Sequence, residues 1–158
     1  MTNLLKSGKI PKYSDLEIMQ IAIRLAKRAA KLDEVPIAAI IAKDGIIISK
    51  GINLTRTLND PTSHAEMIAI KRACKAIGNF RLEDCDLFTT LEPCIMCTGA
   101  IIEARPKRLV IAAGDSKRGA CELLNSPASN HKIKIEKGLL QKASSKILSD
   151  FFKNKRRK

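Results

Sequence analysis

Apolar residues at Leu16, Met19, Ile23, Ala26 and Ala30 fall at helical spacing, and the pattern runs to about Leu32. Ser14 and Glu17 stand at its start in the S-x-x-E arrangement, in which two side chains satisfy free backbone N–H groups. The period then changes. Residues 36–42 and 46–52 are β-branched runs on either side of Lys43-Asp44-Gly45, a hairpin signal. Both runs are apolar on their two faces, which predicts strands covered on both sides. A polar loop follows at 53–63, then an amphipathic helix over about 64–77. Residues 86–91 predict a third strand, 94–104 a helix and 108–113 a fourth strand. The stretch 114–130 is loop-rich with room for one short helix, 131–137 alternates like a strand, and 139 to about 153 closes the chain as a helix. No internal repeat or low-complexity linker divides these elements, so residues 1–158 are expected to form one domain with a basic tail at 153–158. Their order predicts an α/β fold, a three-layer α/β/α arrangement around a central mixed five-stranded sheet. Helices after the third and fourth strands favour right-handed parallel crossovers.

A chain of 158 residues can bury about two-thirds of its unfolded surface without staples. Only 3% of residues are aromatic and none is Trp, so the core has to be aliphatic. No apolar run has the length of a membrane span, and the start MTNLLKSGKIPKYS lacks an apolar stretch leading to a small-residue cleavage site. The expectation is a cytoplasmic protein without membrane association. The formal net charge of +13 changes the picture further. Lys153, Lys155, Arg156, Arg157 and Lys158 close the chain with no acid among them, and Lys107, Arg108, Lys117, Arg118, Lys132 and Lys134 add to the excess. Such an excess attracts polyanions, above all nucleic acid, through phosphate neutralisation and counterion release. The plainer reading of the tail is a solvated end.

The five cysteines, Cys74, Cys85, Cys94, Cys97 and Cys121, cannot pair completely, and in a cytosolic chain close spacing points to metal or redox work. Cys94 and Cys97 form C-x-x-C at a helix start directly after a strand, where the helix dipole and free N–H groups favour thiolates. A thioredoxin-type dithiol and half of a four-cysteine zinc ribbon are the rivals. There is no second C-x-x-C, and Pro93 stands where a thioredoxin-type site has an aromatic residue. His64 begins another predicted helix, and such helix starts converge at one end of an α/β sheet. One histidine and two thiolates leave a fourth tetrahedral position for water, the catalytic rather than the structural zinc arrangement. Glu66 follows His64 by two residues, placed to take and return protons. It also has a plainer role available, since Ser63 and Glu66 fit a capping box.

H-A-E at His64 with P-C-I-M-C at Pro93 resembles the signature of the zinc nucleobase deaminases. Beyond it the chain resembles the bacterial tRNA-specific adenosine deaminases over nearly its whole length. The matching pieces are VPIAAI from Val35, GIN from Gly51, NDPTSHAEM from Asn59, FRL from Phe80, TLEPCIMCTGAI from Thr90, GDSKRGA from Gly114, NHKIKI from Asn130 and LSDFF from Leu148. The resemblance implies a cytidine deaminase-like fold with one Zn2+ per chain on His64, Cys94 and Cys97, and Glu66 as proton shuttle. It implies hydrolytic attack on C6 of the wobble adenosine of tRNA, giving inosine and ammonia, by a homodimer. Asn53, Val35, Pro36 and Ala65 would bind the base, while Asp115, Lys117, Asn130, Phe151 and Phe152 would meet the anticodon arm. Ala38 departs from the family glycine, and Cys121-Glu122-Leu123 replaces a run of small residues in a shortened loop. Cys74 and Cys85 read as small core residues, Cys121 as a loop residue without a metal role, and His131 as structural. Phe151 and Phe152 can equally pack the last helix or stack on bases. Other readings of the same motif are a deaminase of free guanine, cytosine or cytidine, a non-catalytic tRNA-binding subunit, and a structural zinc module. The basic tail, Glu66 and the count of three ligands stand against them in turn.

Overall fold

The computed structural model describes residues 10–127 and 129–157. Helix α1 (Asp15–Lys31) is followed by strands β1 (Ala38–Lys43) and β2 (Ile46–Ile52) and helix α2 (Ala65–Ile77). Strand β3 (Asp86–Leu91), helix α3 (Ile95–Ala104) and strand β4 (Arg108–Ala113) come next. A 3-10 turn at Cys121–Asn125, strand β5 (Lys134–Lys137) and helix α4 (Gln141–Arg156) complete the chain. The strands form one sheet in the order β2-β1-β3-β4-β5. β1 pairs antiparallel with β2 and β3, whereas β3, β4 and β5 run parallel.

Alternation along the strands divides the core into two layers. Ala39 and Ile41 of β1 and Leu109 and Ile111 of β4 pack with Ala69 and Ile70 of α2 and Ile101 of α3. Ala38, Ile40, Ala42, Val110 and Ala112 face the other way, against Ile18, Met19 and Ala22 of α1, with Leu139 and Leu140 before α4 packed beside them. The layered fold follows the sequence pattern, as does the two-sided burial of β1, but β2, expected to be covered likewise, is an edge strand in which only Ser49 and Gly51 are buried. Gly51 fixes the close approach of one layer, because a Cβ there would meet the carbonyl oxygen of Ala65 at 2.2 Å. Residue 51 being glycine therefore lets the first turn of α2 lie directly on β2, which positions His64 just before it.

Several boundaries differ from the sequence pattern. β1 starts at Ala38 rather than at residue 36, since Pro36 has no N–H to give to a ladder and Ile37 N–H bonds Val35 O at 2.8 Å. β5 starts at Lys134 rather than 131 because the backbone of Ile133 is claimed by Asn125, at 3.0 Å and 2.9 Å through its Oδ1 and Nδ2. α4 begins at Gln141 after Leu140 in the left-handed region (φ 57°) and continues to Arg156. The basic segment is thus helical through Arg156, and Lys158 lies outside the described residues. Arg108, counted above among the bases facing polyanions, is instead held by Asp15, Asp86 and Glu136, tying α1, β3 and β5 together at one end of the sheet.

Candidate active site

The opposite end of the sheet, beyond the C-terminal ends of β3 and β4, carries the chemistry. Two helices start there. His64 is the N-cap residue of α2 and Cys94 that of α3, both in extended conformation, and neither side chain caps its helix. Their side chains are therefore free to meet. The Nδ1 atom of His64 lies 3.6 Å from the sulfurs of both Cys94 and Cys97. All three donor atoms fall within 4.8 Å of one another and can hold a metal ion. Asp60 builds the turn that delivers His64, accepting bonds from Thr62 N–H, Thr62 Oγ1 and Ser63 Oγ at 2.8, 2.7 and 2.7 Å. Those donors, led by the Ser63 hydroxyl, hold the Asp60 carboxyl down at about 2.

Ser63 and Glu66 form no capping box, because the Ser63 hydroxyl is spent on Asp60. Glu66 is 3% exposed and its oxygens lie 3.4 Å from Thr89 Oγ1 and 3.6 Å from Cys97 Sγ. Burial raises its pKa above the usual carboxylate range. The Cys97 thiol is raised by burial and then by the charges of Glu66 and Cys94. Burial thus disfavours the charged forms of both groups, and a bound cation is what would favour the Cys97 thiolate. His64 is lowered, by burial first and by Arg118 next, which favours the neutral ring that a metal takes.

These groups form part of the floor of a cleft of about 680 Å³. Of the sequence-derived candidates, Val35, Asn53, His64, Glu66, Cys94, Asp115, Lys117 and Phe152 line it. Cys97 sits buried beneath, against His64 and Glu66. Pro36 and Ala65 are buried outside the lining, Ala65 under Gly51. Asn130 is not brought to the cleft. It stands before β5 at the other end of the parallel strands, accepting a bond from Arg105 at 2.9 Å. Phe151 turns away from the cleft into a crevice beside Lys27 and Ala30 of α1, and its ring lies against that of Phe152 at 5.4 Å. Asp115 spends Oδ1 on the backbone N–H groups of Lys117 and Arg118, shaping its own loop.

Tied to known proteins, the geometry acquires relatives. Residues 13–156 match the MafB19-like deaminase family model. The tRNA-specific adenosine deaminase of Aquifex aeolicus (strain VF5) is 46% identical over 142 residues, covering 87% of this chain and 93% of the relative. This chain belongs to the tRNA-specific adenosine deaminase family. A solved structure from studies of A-to-I editing by tRNA:A34 deaminases at the wobble position of transfer RNA superposes with a TM-score of 0.81. It is 43% identical and covers 84% of this chain and 99% of its own. A guanine deaminase from Bacillus subtilis superposes with a TM-score of 0.64 at 34% identity, covering 90% and 95%.

Within this deaminase fold, two carboxylates escaped the sequence reading. Glu34 is 0% exposed and grips the segment from Asn53 to Thr57. Glu92 lines the cleft and accepts from Asp115 N–H at 3.2 Å and from Cys121 Sγ at 2.8 Å, with Lys137 Nζ 3.5 Å away. It fits only because residue 119 is glycine, where a Cβ would meet the Glu92 carboxyl carbon at 2.5 Å. The unusual Cys121 is thus a donor anchoring the cleft loop through Glu92. Ala38 is wholly buried in β1, its N–H on Thr90 Oγ1 at 3.0 Å. His131 has a structural contact, Nε2 at 3.4 Å from Pro106 O. Arg118 and Arg156 also line the cleft.

Proposed function

We propose that this chain hydrolyses adenosine to inosine at the wobble position of tRNA, releasing ammonia, with zinc on His64, Cys94 and Cys97. The observation that carries the reading is the three-donor cluster beside buried Glu66 at the floor of the cleft. Zinc–nitrogen bonds of about 2.0–2.1 Å and zinc–sulfur bonds of about 2.3 Å at a tetrahedral angle put N and S about 3.6 Å apart. His64 Nδ1 is 3.6 Å from each sulfur, so the donor set fits the ion. Zinc bound there supplies Lewis-acid activation of water at neutral pH.

The remaining work falls to the chain. The Glu66 carboxylate takes one proton from the attacking water and passes it to the ring nitrogen next to C6, then takes the second from the hydroxyl added at C6 and passes it to the amine, which departs as ammonia. Its burial supports this role, because desolvation raises the Glu66 pKa and so makes the carboxylate a stronger base than an exposed one. Val35, Ile37 and Leu91 supply apolar walls for the base. Lys117, Arg118 and Arg156 stand at the cleft where strand phosphates of the anticodon arm would run, and Phe152, 44% exposed, offers a face for stacking.

The chain works on this reading as one domain and as a homodimer in the cytoplasm, where tRNA is found. Supporting a second copy, α3 leaves Ile95 70% exposed beside the site, on a helix with few polar residues. Among the described residues no helix is long and apolar enough to cross a membrane.

The likeness to a guanine deaminase supports a second reading, hydrolysis of a free base. Ammonia release decides between them. Purified zinc-loaded protein is expected to release ammonia from an anticodon stem-loop carrying adenosine at the wobble position and to leave free guanine, cytosine and cytidine untouched. The reverse pattern removes the proposal. Elemental analysis is expected to give one zinc per chain, lost from a His64→Ala/Cys94→Ala/Cys97→Ala variant.

A further inference from the structure

Glu92 directly follows β3, and its side chain, 10% exposed, sits inside the loop that leaves β4. Two glycines make the space. A Cβ at residue 119 would meet the Glu92 carboxyl carbon at 2.5 Å, and one at residue 114 would lie 3.4 Å from Oε2. The loop therefore wraps the carboxylate, and both of its ends are fastened there. At the start Asp115 N–H donates to Oε2 at 3.2 Å, and at the end Cys121 Sγ donates to Oε1 at 2.8 Å. Lys137, the last residue of β5, holds its ammonium 3.5 Å from Oε1. These donors offset the cost of taking a carboxylate out of water.

The rest of the loop is ordered from these two points. Asp115 Oδ1 accepts from Lys117 N–H and Arg118 N–H at 3.0 and 3.1 Å, and the Asp115 carbonyl accepts from Gly119 N–H at 2.9 Å. Ala120 N–H reaches Pro93 O at 3.0 Å, and Gly119 forms a bridge with Cys94. What the loop carries outward is charge, since Lys117 and Arg118 both line the cleft. Resting on the function proposed above, we propose that Glu92 is a positioning residue for RNA binding: it holds this loop in one shape, so that Lys117 and Arg118 meet the phosphates already in place. Groups ordered in advance need no ordering by the ligand, and the affinity is higher by what that ordering would cost.

The sign of one substitution separates this role from a plain electrostatic one. Glu92 itself lines the cleft, and a carboxylate there repels phosphate. If its charge alone counted, Glu92→Gln would bind RNA more tightly. A positioning residue gives the opposite result. The amide keeps one acceptor, which serves either Asp115 N–H or the Cys121 thiol, and its NH2 group confronts a donor on the other side. One end of the loop then comes free, and the RNA has to order Lys117 and Arg118 itself. Cys121 offers the same contrast on a smaller scale. Cys121→Ser puts an O–H donor in place of the thiol, whereas Cys121→Ala supplies none.

The experiment measures the affinity of the full-length zinc-loaded protein for an anticodon stem-loop with inosine at the wobble position, which has no amine left to lose. Zinc content is read beside it, with kcat and KM on the adenosine form. Glu92→Gln is expected to weaken binding and raise KM about 10- to 100-fold, the cost of ordering a few groups on binding, with kcat and zinc content nearly unchanged. In a Lys117→Ala/Arg118→Ala background the same substitution is expected to cost no more than about 2-fold, because the groups it positions are gone. A merely structural role would cost one common factor in both backgrounds. Cys121→Ala is expected to weaken binding at least about 3-fold, as for a lost hydrogen bond, and Cys121→Ser to bind like the wild type. That pair carries the test if Glu92→Gln does not fold. The inference is overturned if Glu92→Gln binds as well as the wild type or better, if its loss is equal in both backgrounds, if kcat rather than KM takes the loss, or if Ala and Ser at residue 121 bind alike. A wild type that does not bind the stem-loop, or binds it equally well without Lys117 and Arg118, overturns the proposed RNA contacts as well. A wild type that needs both bases and is indifferent to Glu92→Gln overturns this inference alone.

Discussion

Glu66 shows how far residue types carry an argument and where packing has to finish it. Two roles were open to it, helix capping and proton transfer, and the structure gives it Thr89 and Cys97 as neighbours with no capping bond. Glu66→Gln keeps the shape and removes the proton, so it is expected to retain fold and zinc while turnover drops ~10²–10⁴-fold. Elemental analysis beside an ammonia assay checks this, and a Gln variant working near the wild-type rate would return the residue to a purely structural role. A second expectation at this scale concerns Asp60, whose carboxyl is held at about 2 by the Ser63 and Thr62 donors. A depressed carboxylate adds stability that is in full force above its ordinary value of 3.8 and disappears as pH falls through about 2. Asp60→Asn should therefore lower the melting temperature at pH 7 and make little difference near pH 2. His64, Glu66, Cys94 and Cys97 were legible because their identity and spacing are themselves the chemistry. Glu34 and Glu92 were not, since nothing in a sequence separates a buried carboxylate holding a loop from one in solvent. Only the fold brings Glu34 to Asn53, and Glu92 to residue 119 where glycine makes room.

Elements were legible wherever the periodicity was set by burial on both faces of the sheet, as for β1 and β4, and wherever a start signal was local, as for the Ser14–Glu17 box of α1. They were illegible where long-range partners decided a boundary. Alternation at residues 131–133 resembles strand, yet Asn125 intercepts that backbone before β5 can begin. Arg108 is the same lesson in charge. It was counted among the free cations, but it binds Asp15 and Asp86 of two other elements and Glu136 of β5, with 17% of its side chain exposed. Hydrogen bonding to Arg108 lowers the Asp15 carboxyl most; Lys134 and then Arg108 lower that of Glu136. Removing the guanidinium in Arg108→Met leaves three acids facing one another and should cost about 1–3 kcal/mol at pH 7, between exposed and buried ion pairs. Lowered carboxylates contribute above their unfolded pKa values and lose that contribution as pH falls through the folded ones. The difference between wild type and Arg108→Met should accordingly shrink below about pH 4, in denaturant melts run from pH 7 downward. Loss of RNA deamination without loss of stability would mean that Arg108 serves the substrate instead.

For the whole molecule the net charge of +13 announced a polyanionic partner, but not which cations are free to meet it. The structure sorts them. Lys155, in the last turns of α4, pairs with Asp33 and lies 5.7 Å from the centre of the Phe151 ring, which ties α4 to the end of α1. Arg156, one residue on, lines the cleft with Lys117 and Arg118. Because the segment is helical, neighbours in sequence face different ways, and the tail does not act as one solvated cluster. Phosphate contacts give affinity without reading bases, and each one lost should flatten the dependence of log affinity on log salt by ~0.7–0.9. Arg156→Ala is therefore expected to weaken stem-loop binding, reduce the salt slope by about one contact and raise KM, with kcat at saturating substrate nearly unchanged. Lys155→Ala should leave the salt slope alone and lower the melting temperature, since what it loses is the link between α4 and α1. Binding titrations at several salt concentrations, set beside thermal melts, separate the two. If both variants shift the slope equally and neither shifts stability, the tail acts as a diffuse cationic end and the helical division of labour is wrong.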